Sequence, residues 1–279
     1  MTIGLFHNIS EECSRMVTMR YSTSFSSAIK LLHNDLRKPI FNIYGFVRFA
    51  DEIVDTFHDH DKQLLLEEFK KETFEAIERK ISLNPILNSF QQTVNSYHID
   101  HELVHAFFRS MESDLTQNKY DRQGYEEYIY GSAEVVGLMC LYVFCEGNKT
   151  LYKSLKQPAQ ALGAAFQKVN FLRDIKADFN DLSRVYFPGC DFHNFTQRDK
   201  IQIESDIEED FKNAFEGILN LPMKAKFGVY VAYKYYYSLF KKIKSTHPHH
   251  ILQKRIRIPN HRKLCIVFRA SVKNGLGLI

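Results

Sequence analysis

Two acidic clusters at helical spacing, Asp51-Glu52-Ile53-Val54-Asp55 and Asn170-Phe171-Leu172-Arg173-Asp174-Ile175-Lys176-Ala177-Asp178, lie far apart in a chain whose surrounding segments otherwise carry core residues. Residues four apart share one face of a helix, roughly 5–6 Å from each other, so each cluster aims a pair of carboxylates one way. The neighbours Ile43, Phe46, Val47, Ile53 and Val54, and likewise Phe166, Val169, Phe171, Leu172 and Ile175, are apolar and imply helices packed into a core. Unpaired carboxylates are costly there. Such charges call for divalent cations, and the clusters read as two halves of one metal site.

The 279 residues show no Pro/Gly/Ser-rich linker and no low-complexity stretch, which predicts a single domain over 1–279. Twelve glycines and seven prolines are few for this length, and alternating β-branched runs are missing. An all-α fold follows. Helices are predicted at about 5–18, 22–33, 38–57, 61–80, 84–97, 99–117, 122–146, 149–180, 205–219, 222–245 and 260–274, with 183–204 as the longest loop. Asn84-Pro85 and Gln157-Pro158 read as helix starts or kinks, and Phe187-Pro188-Gly189 as a break.

The first residues, with Glu11 and Glu12, lack a basic stretch followed by an apolar one, so no signal peptide is expected, and no window reaches the roughly 18 apolar residues of a membrane span. Five cysteines without zinc or CxxC spacing read as free thiols of a cytoplasmic protein. Charge is uneven: no acidic residue follows Glu216, whereas thirteen Lys and Arg do. An anionic partner fits this end, whether membrane headgroups, nucleic acid or a polyphosphate ligand, as does a solvated basic helix face.

Arg48 and Arg173 stand beside the two clusters, and guanidinium groups bind phosphate oxygens bidentately. A diphosphate bridging Mg2+ held by both clusters is chemically coherent. Gln167, Asn170, Asp174 and Asp178 form one polar stripe, suited to lining a cavity, and Tyr186 in the following loop could close over it as a lid. Ser22-Thr23-Ser24-Phe25 offers either an N-cap or a phosphate-binding helix start. Gly131-Ser132-Ala133 with Gly137, and Gly163-Ala164-Ala165, allow close helix packing or a tunnel for a long apolar ligand. Phe25, Phe41, Tyr44, Phe166 and Tyr236 could wall such a tunnel with π faces suited to a carbocation. His101-Glu102-Leu103-Val104-His105 matches the HExxH zinc pattern, but no third His follows at the required spacing.

Taken together, Tyr21-Ser22-Thr23-Ser24-Phe25, Tyr44 to Asp55, Tyr130-Gly131-Ser132-Ala133 with Val136-Gly137, Gln167 to Asp178, Arg184-Val185-Tyr186-Phe187-Pro188, and Tyr236 with Arg255 to Leu264 resemble, in order, the squalene and phytoene synthases. Glu52 and Ser183 depart from that family's usual aspartate and glycine. The resemblance implies the class I isoprenoid synthase helical bundle with a central cavity. It implies Mg2+, with Mn2+ as an alternative, on Asp51, Asp55, Asn170, Asp174 and Asp178, with Arg48 and Arg173 aiding catalysis. It further implies prenyl diphosphate contacts from Ser22, Ser24, Phe25, Tyr44, Ala133, Gly137, Gln167, Asn170, Arg184, Tyr186, Tyr236 and Arg255. The activity implied is Mg-dependent 1-1′ condensation of two geranylgeranyl diphosphates to phytoene through a cyclopropyl diphosphate. A C30 product from farnesyl diphosphate is the near alternative, and a non-catalytic assembly factor the distant one. No glycine-rich dinucleotide loop is seen, so NADPH is not expected. Peripheral contact with the inner membrane face is expected, and nucleic acid is not.

Overall fold

The computed structural model describes residues 2–117, 119–180, 184–190 and 192–279, with side chains for all of these except 177–180 and 193. Among the described residues the architecture is helical, and the β-type pairing is a lone bridge between Lys119 and Val185. The helices are α1 (Ile3–Tyr21), α2 (Thr23–Ile29), α3 (Asn34–Thr56), α4 (Lys62–Arg79), α5 (Pro85–Tyr97), α6 (His101–Thr116), α7 (Arg122–Ile129), α8 (Val135–Cys145), α9 (Lys149–Asn180), α10 (Gln197–Leu219), α11 (Met223–Lys244), α12 (Pro248–Ile251) and α13 (Asn260–Gly275).

Local chemistry sets most of these boundaries. Asp61, Asn84, Asp100 and Asp121 accept backbone N–H bonds at the starts of α4, α5, α6 and α7. Asn84-Pro85 is therefore a helix start, with proline where no backbone donor is needed. Pro158 instead lies inside α9, which runs through it. The break at Phe187-Pro188-Gly189 is a turn, with Gly189 at φ +73°.

Three expectations change. First, α10 begins at Gln197 rather than near 205, because Thr196 and Asp199 form a reciprocal capping box. Second, the segment read as one helix over 122–146 is interrupted by a π-helical turn at Tyr130–Glu134. Third, the continuous stretch Arg122–Cys145 does reach the length and hydropathy of a membrane span. Half of that apolar window is buried, and Val135, Leu138 and Met139 are fully enclosed, so its hydropathy serves the bundle core.

The core is built around α3. Phe46, fully buried, stacks on Phe90 of α5 at 3.8 Å and meets Phe107 and Phe108 of α6. On the other side α1 presents Ser10, Ser14 and Thr18, all buried, and Ser14 Oγ lies 2.7 Å from Ser89 Oγ of α5. Helices α8 and α9 cross where glycine is required. A Cβ on Gly137 would stand 2.9 Å from the Ala159 carbonyl oxygen, and one on Gly163 would stand 2.6 Å from that of Ala133. Close packing and a cavity wall are thus the same feature, since Ala133, Gly137 and Gly163 all line the central cavity.

Lys168, on the opposite face of α9, bridges to α10 by ion pairs of 2.7 Å to both Asp206 and Asp210. Burial raises the Asp210 carboxyl to about 6, because one lysine shared by two carboxylates does not offset its desolvation. The native state then holds this proton more tightly than the unfolded chain, and stability is lost as pH rises from about 4 to about 6. Asp210→Asn is expected to flatten that slope, worth at most roughly 3 kcal/mol. Denaturant midpoints measured across this pH range check it; an unchanged slope contradicts it.

Candidate active site

The central cavity, about 490 Å³, opens between α2, α3, α9 and the segment after α12, and extends inward between α8, α9, α10 and α11. Its mouth is polar. Arg48, Asp51 and Asp55 reach it from α3, and Gln167, Asn170, Arg173 and Asp174 from α9. The two carboxylate clusters thus face one space, because the four-residue step keeps each on the inner face of its helix. Asp178 also lies on α9, with its side chain outside the described residues.

Each described carboxylate has a guanidinium partner. Arg48 pairs with Glu52 and lies 3.6 Å from Asp51. Arg184 donates to Asp55 Oδ1 at 2.9 Å. Arg173 donates to Asp174 at 3.0 Å, and Arg255 Nε approaches Asp174 Oδ1 at 2.7 Å. Desolvation raises the Asp51 carboxyl to about 7, with Asp55 adding repulsion and Arg48 opposing. Arg173, despite the cost of burial, is held above its ordinary range by its hydrogen bond to Asp174.

Three polar atoms on cavity-lining residues are buried without a hydrogen-bond partner: Arg48 Nε, Ser132 Oγ and Asn170 Oδ1. Orphaned groups of this kind are rare and each leaves a donor or acceptor for something bound. Below them the lining turns aromatic. Phe25, Tyr44, Phe166 and Tyr236 form one group, with Phe25 5.5–5.9 Å from the other three rings and Phe166 stacked on Tyr236 at 3.9 Å. Burial, helped by Tyr236, pushes the Tyr44 hydroxyl up to about 12, so it stays protonated. Deeper still the walls are apolar: Ile29, Leu32, Cys140, Phe144, Leu155 and Ile218.

Ser22, Phe25, Tyr44, Ala133, Gly137, Gln167, Asn170, Arg184, Tyr186, Tyr236 and Arg255 all line this cavity. Ser24 does not, and its backbone carbonyl accepts from Ser27 one turn on. Ser22 also fills its capping role, accepting from Phe25 N at 3.1 Å. Phe41, expected in the aromatic wall, is buried but lies outside the cavity. The segment Arg184–Phe187 is a seated strap rather than a free lid: Tyr186 stacks on Phe171 at 4.0 Å, and Arg184 and Phe187 are buried. The HExxH residues gather no site. His105 stacks on Phe74 at 4.1 Å, and among the described residues no three His, Cys, Asp or Glu side chains converge as a ready metal centre.

Asp114 of α6 was not expected. It is buried, accepts from Tyr128 OH at 2.7 Å, and its backbone oxygen accepts from Arg184 at 3.0 Å. Burial raises its carboxyl to about 6, against the pull of Arg184 and Tyr128. Its signal in the sequence is slight: the apolar stripe Val104, Phe107, Met111 continues one step further onto an acid.

A squalene/phytoene synthase family profile matches residues 18–262. The chain is 27% identical to a 15-cis-phytoene synthase of Synechococcus elongatus, over 91% of this chain and 90% of that one. It is 26% identical to a 4,4'-diapophytoene synthase of Staphylococcus haemolyticus, over 68% of this chain and 65% of that one. The fold superposes on a crystal structure of a dehydrosqualene synthase in complex with ligand, with a TM-score of 0.81 and 18% identity over 96% of this chain and 98% of that one. The helical bundle is therefore that of the head-to-head isoprenoid synthases, and the chain belongs to the squalene/phytoene synthase family.

Proposed function

We propose that this protein joins two geranylgeranyl diphosphates head to head to make phytoene. The observation that carries the reading is a cavity with carboxylates and guanidinium groups at its mouth, orphaned polar atoms on its lining, aromatic faces below and an apolar end beyond. A diphosphate fits the mouth, an allylic cation the aromatic belt and a polyprenyl tail the depth.

The residues present fit Mg2+: Asp51, Asp55 and Asp174 are oxygen donors, and Asn170 Oδ1 is a buried acceptor without a partner. Mg2+ ordinarily takes one or two carboxylates together with substrate phosphates and water, so a preformed cage is not required. When bound by these residues and Asp178, it would neutralise charge on the departing diphosphate. Arg48, Arg173 and Arg255 supply donors to the same phosphate oxygens. As the allylic C1–O bond breaks, Phe25, Tyr44, Phe166 and Tyr236 offer π faces to the cation and exclude water. The second substrate's C2=C3 double bond adds to C1 of this cation, and loss of a proton from that C1 closes the ring, giving a cyclopropylcarbinyl diphosphate. A second ionisation, rearrangement and proton loss give the 1-1′ linked triene.

A C30 product from farnesyl diphosphate is the alternative, and the diapophytoene synthase relative favours it. Ile29, buried on the cavity wall one turn beyond Phe25, supports the longer chain because it is smaller than an aromatic residue. Purified protein offered C15 and C20 prenyl diphosphates with Mg2+, with and without NADPH, is expected to release diphosphate and form a C40 triene without NADPH. No diphosphate release with either substrate sinks the reading. Ile29→Phe is expected to shift preference toward the C15 substrate by roughly tenfold or more, since the added ring occupies tunnel space. Unchanged preference shows that another wall sets chain length. The reading carries with it a cytoplasmic enzyme that touches the inner membrane face, where an apolar product can leave.

A further inference from the structure

The C-terminal helix exposes an apolar stripe. On α13, Ile266, Val267 and Ala270 turn inward onto the core. Leu264, Phe268 and Val272 of the helix and Leu276 at its C-terminal cap, each four residues beyond the last, are 72%, 72%, 48% and 68% exposed. Steps of four advance about 40° around a helix, so these side chains make one slowly turning stripe. Arg262, Arg269 and Lys273 are exposed and fall, by the same helical geometry, between the stripe and the inward face. No Asp or Glu lies on this helix or elsewhere after Glu216 in the sequence. Single exposed apolar residues are ordinary on a protein surface, but an aligned series edged by cations is not.

The stripe is anchored beside the cavity mouth. Lys263, in the first turn of α13, donates to Thr23 Oγ1 at 2.8 Å, next to the mouth residues Tyr21 and Ser22. Arg255, just before the helix, lines the same mouth. An anionic bilayer meets both halves of this surface at once, taking the apolar stripe at its acyl boundary and the cations at its phosphates. A second copy of the same face would instead set Arg262, Arg269 and Lys273 against like charges.

We propose that α13 is a membrane-docking helix. It lies in the plane of an anionic lipid surface with Leu264, Phe268, Val272 and Leu276 immersed, and holds the cavity mouth at the lipid boundary. This gives the membrane contact expected from charge a defined surface, and rests on that expectation but not on the identity of the product.

Full-length protein without substrate is floated with phosphatidylcholine vesicles and with phosphatidylcholine–phosphatidylglycerol vesicles. It is expected to rise with the anionic vesicles at low salt and to release as salt increases. Leu264→Ser with Phe268→Ser is expected to lower partitioning about tenfold or more while leaving the thermal midpoint unchanged. Arg269→Glu with Lys273→Glu is expected to remove the preference for anionic lipid. The proposal is overturned if the wild type stays unbound, or if the serine pair floats as the wild type does. It is also overturned if gel filtration shows a dimer that the serine pair splits while vesicles stay bare. Because no substrate is present, these outcomes are read separately from the synthase assay.

Discussion

Asp51→Asn combined with Asp174→Asn should reduce diphosphate release by about 10³-fold or more while leaving the protein folded. The two changes keep side-chain shape and remove one negative charge from each half of the mouth, where α3 and α9 face each other. Ionising an allylic diphosphate concentrates charge on the leaving group, and only preorganised positive charge at that place lowers the barrier. Removing one carboxylate from each half would leave Asp55 and Asn170, too few donors to hold that charge in register with Arg48, Arg173 and Arg255. At Asp51 stability should move the other way. The Asp51 carboxyl is raised to about 7, first by desolvation and then by Asp55, so its charge is a cost to the folded state near neutral pH. Asp51→Asn alone should therefore melt no lower than the wild type, a common trade between stability and activity, whereas Asp174→Asn takes the carboxylate from Arg173 and Arg255 and should melt lower. Diphosphate release with C15 and C20 substrates, alongside thermal melts, checks both halves. Turnover close to wild type would remove the two clusters from the mechanism.

Arg184→Met should be the most destabilising single change in the site. Arg184 is buried, donates to Asp55 Oδ1 and the Asp114 carbonyl oxygen, and lies 4.0 Å from the Asp114 carboxylate. Burial counts against the guanidinium, yet Asp114, Tyr186 and Asp55 together hold it well above its ordinary range. Removing one member of such a buried set leaves an uncompensated carboxylate, at a cost of about 3–5 kcal/mol. The strap Arg184–Phe187 would loosen with it, although Tyr186 keeps its stack on Phe171. Adding Asp114→Asn removes that stranded charge, so the double variant should recover part of the loss. Denaturant unfolding of both singles and the double gives the coupling. Simple additivity would mean that Arg184 and Asp114 do not act as a pair.

The helices were legible because their determinants are local. Asn84-Pro85 announces its own cap, and the apolar period around Asp51 and Asp174 places both on inward faces. The misplaced start of α10 was legible too, in Thr196 and Asp199, but sits in a stretch where Phe187-Pro188-Gly189 suggested loop. The π-helical turn at Tyr130–Glu134 was not, since the sequence from Tyr125 to Cys145 carries the same helical pattern with or without it. Asp114 escaped because an acid on an otherwise apolar stripe reads as an edge, and only burial under Tyr128 reveals it as interior.

The sequence by itself determined that this chain is helical, that Asp51, Asp55 and Asp174 face inward and that arginines stand near them, because helical period and i to i+4 spacing are properties of neighbouring residues. Tertiary structure alone decided which arginine meets which carboxylate. Arg184 reaches Asp55 across the site, and Arg255 returns from near the C-terminus to Asp174. It also decided that Phe41 falls outside the aromatic belt while Phe166 and Tyr236 stack within it. Those pairings depend on how helices distant in sequence come together, as α8 meets α9 at Gly137, and no local spacing encodes them.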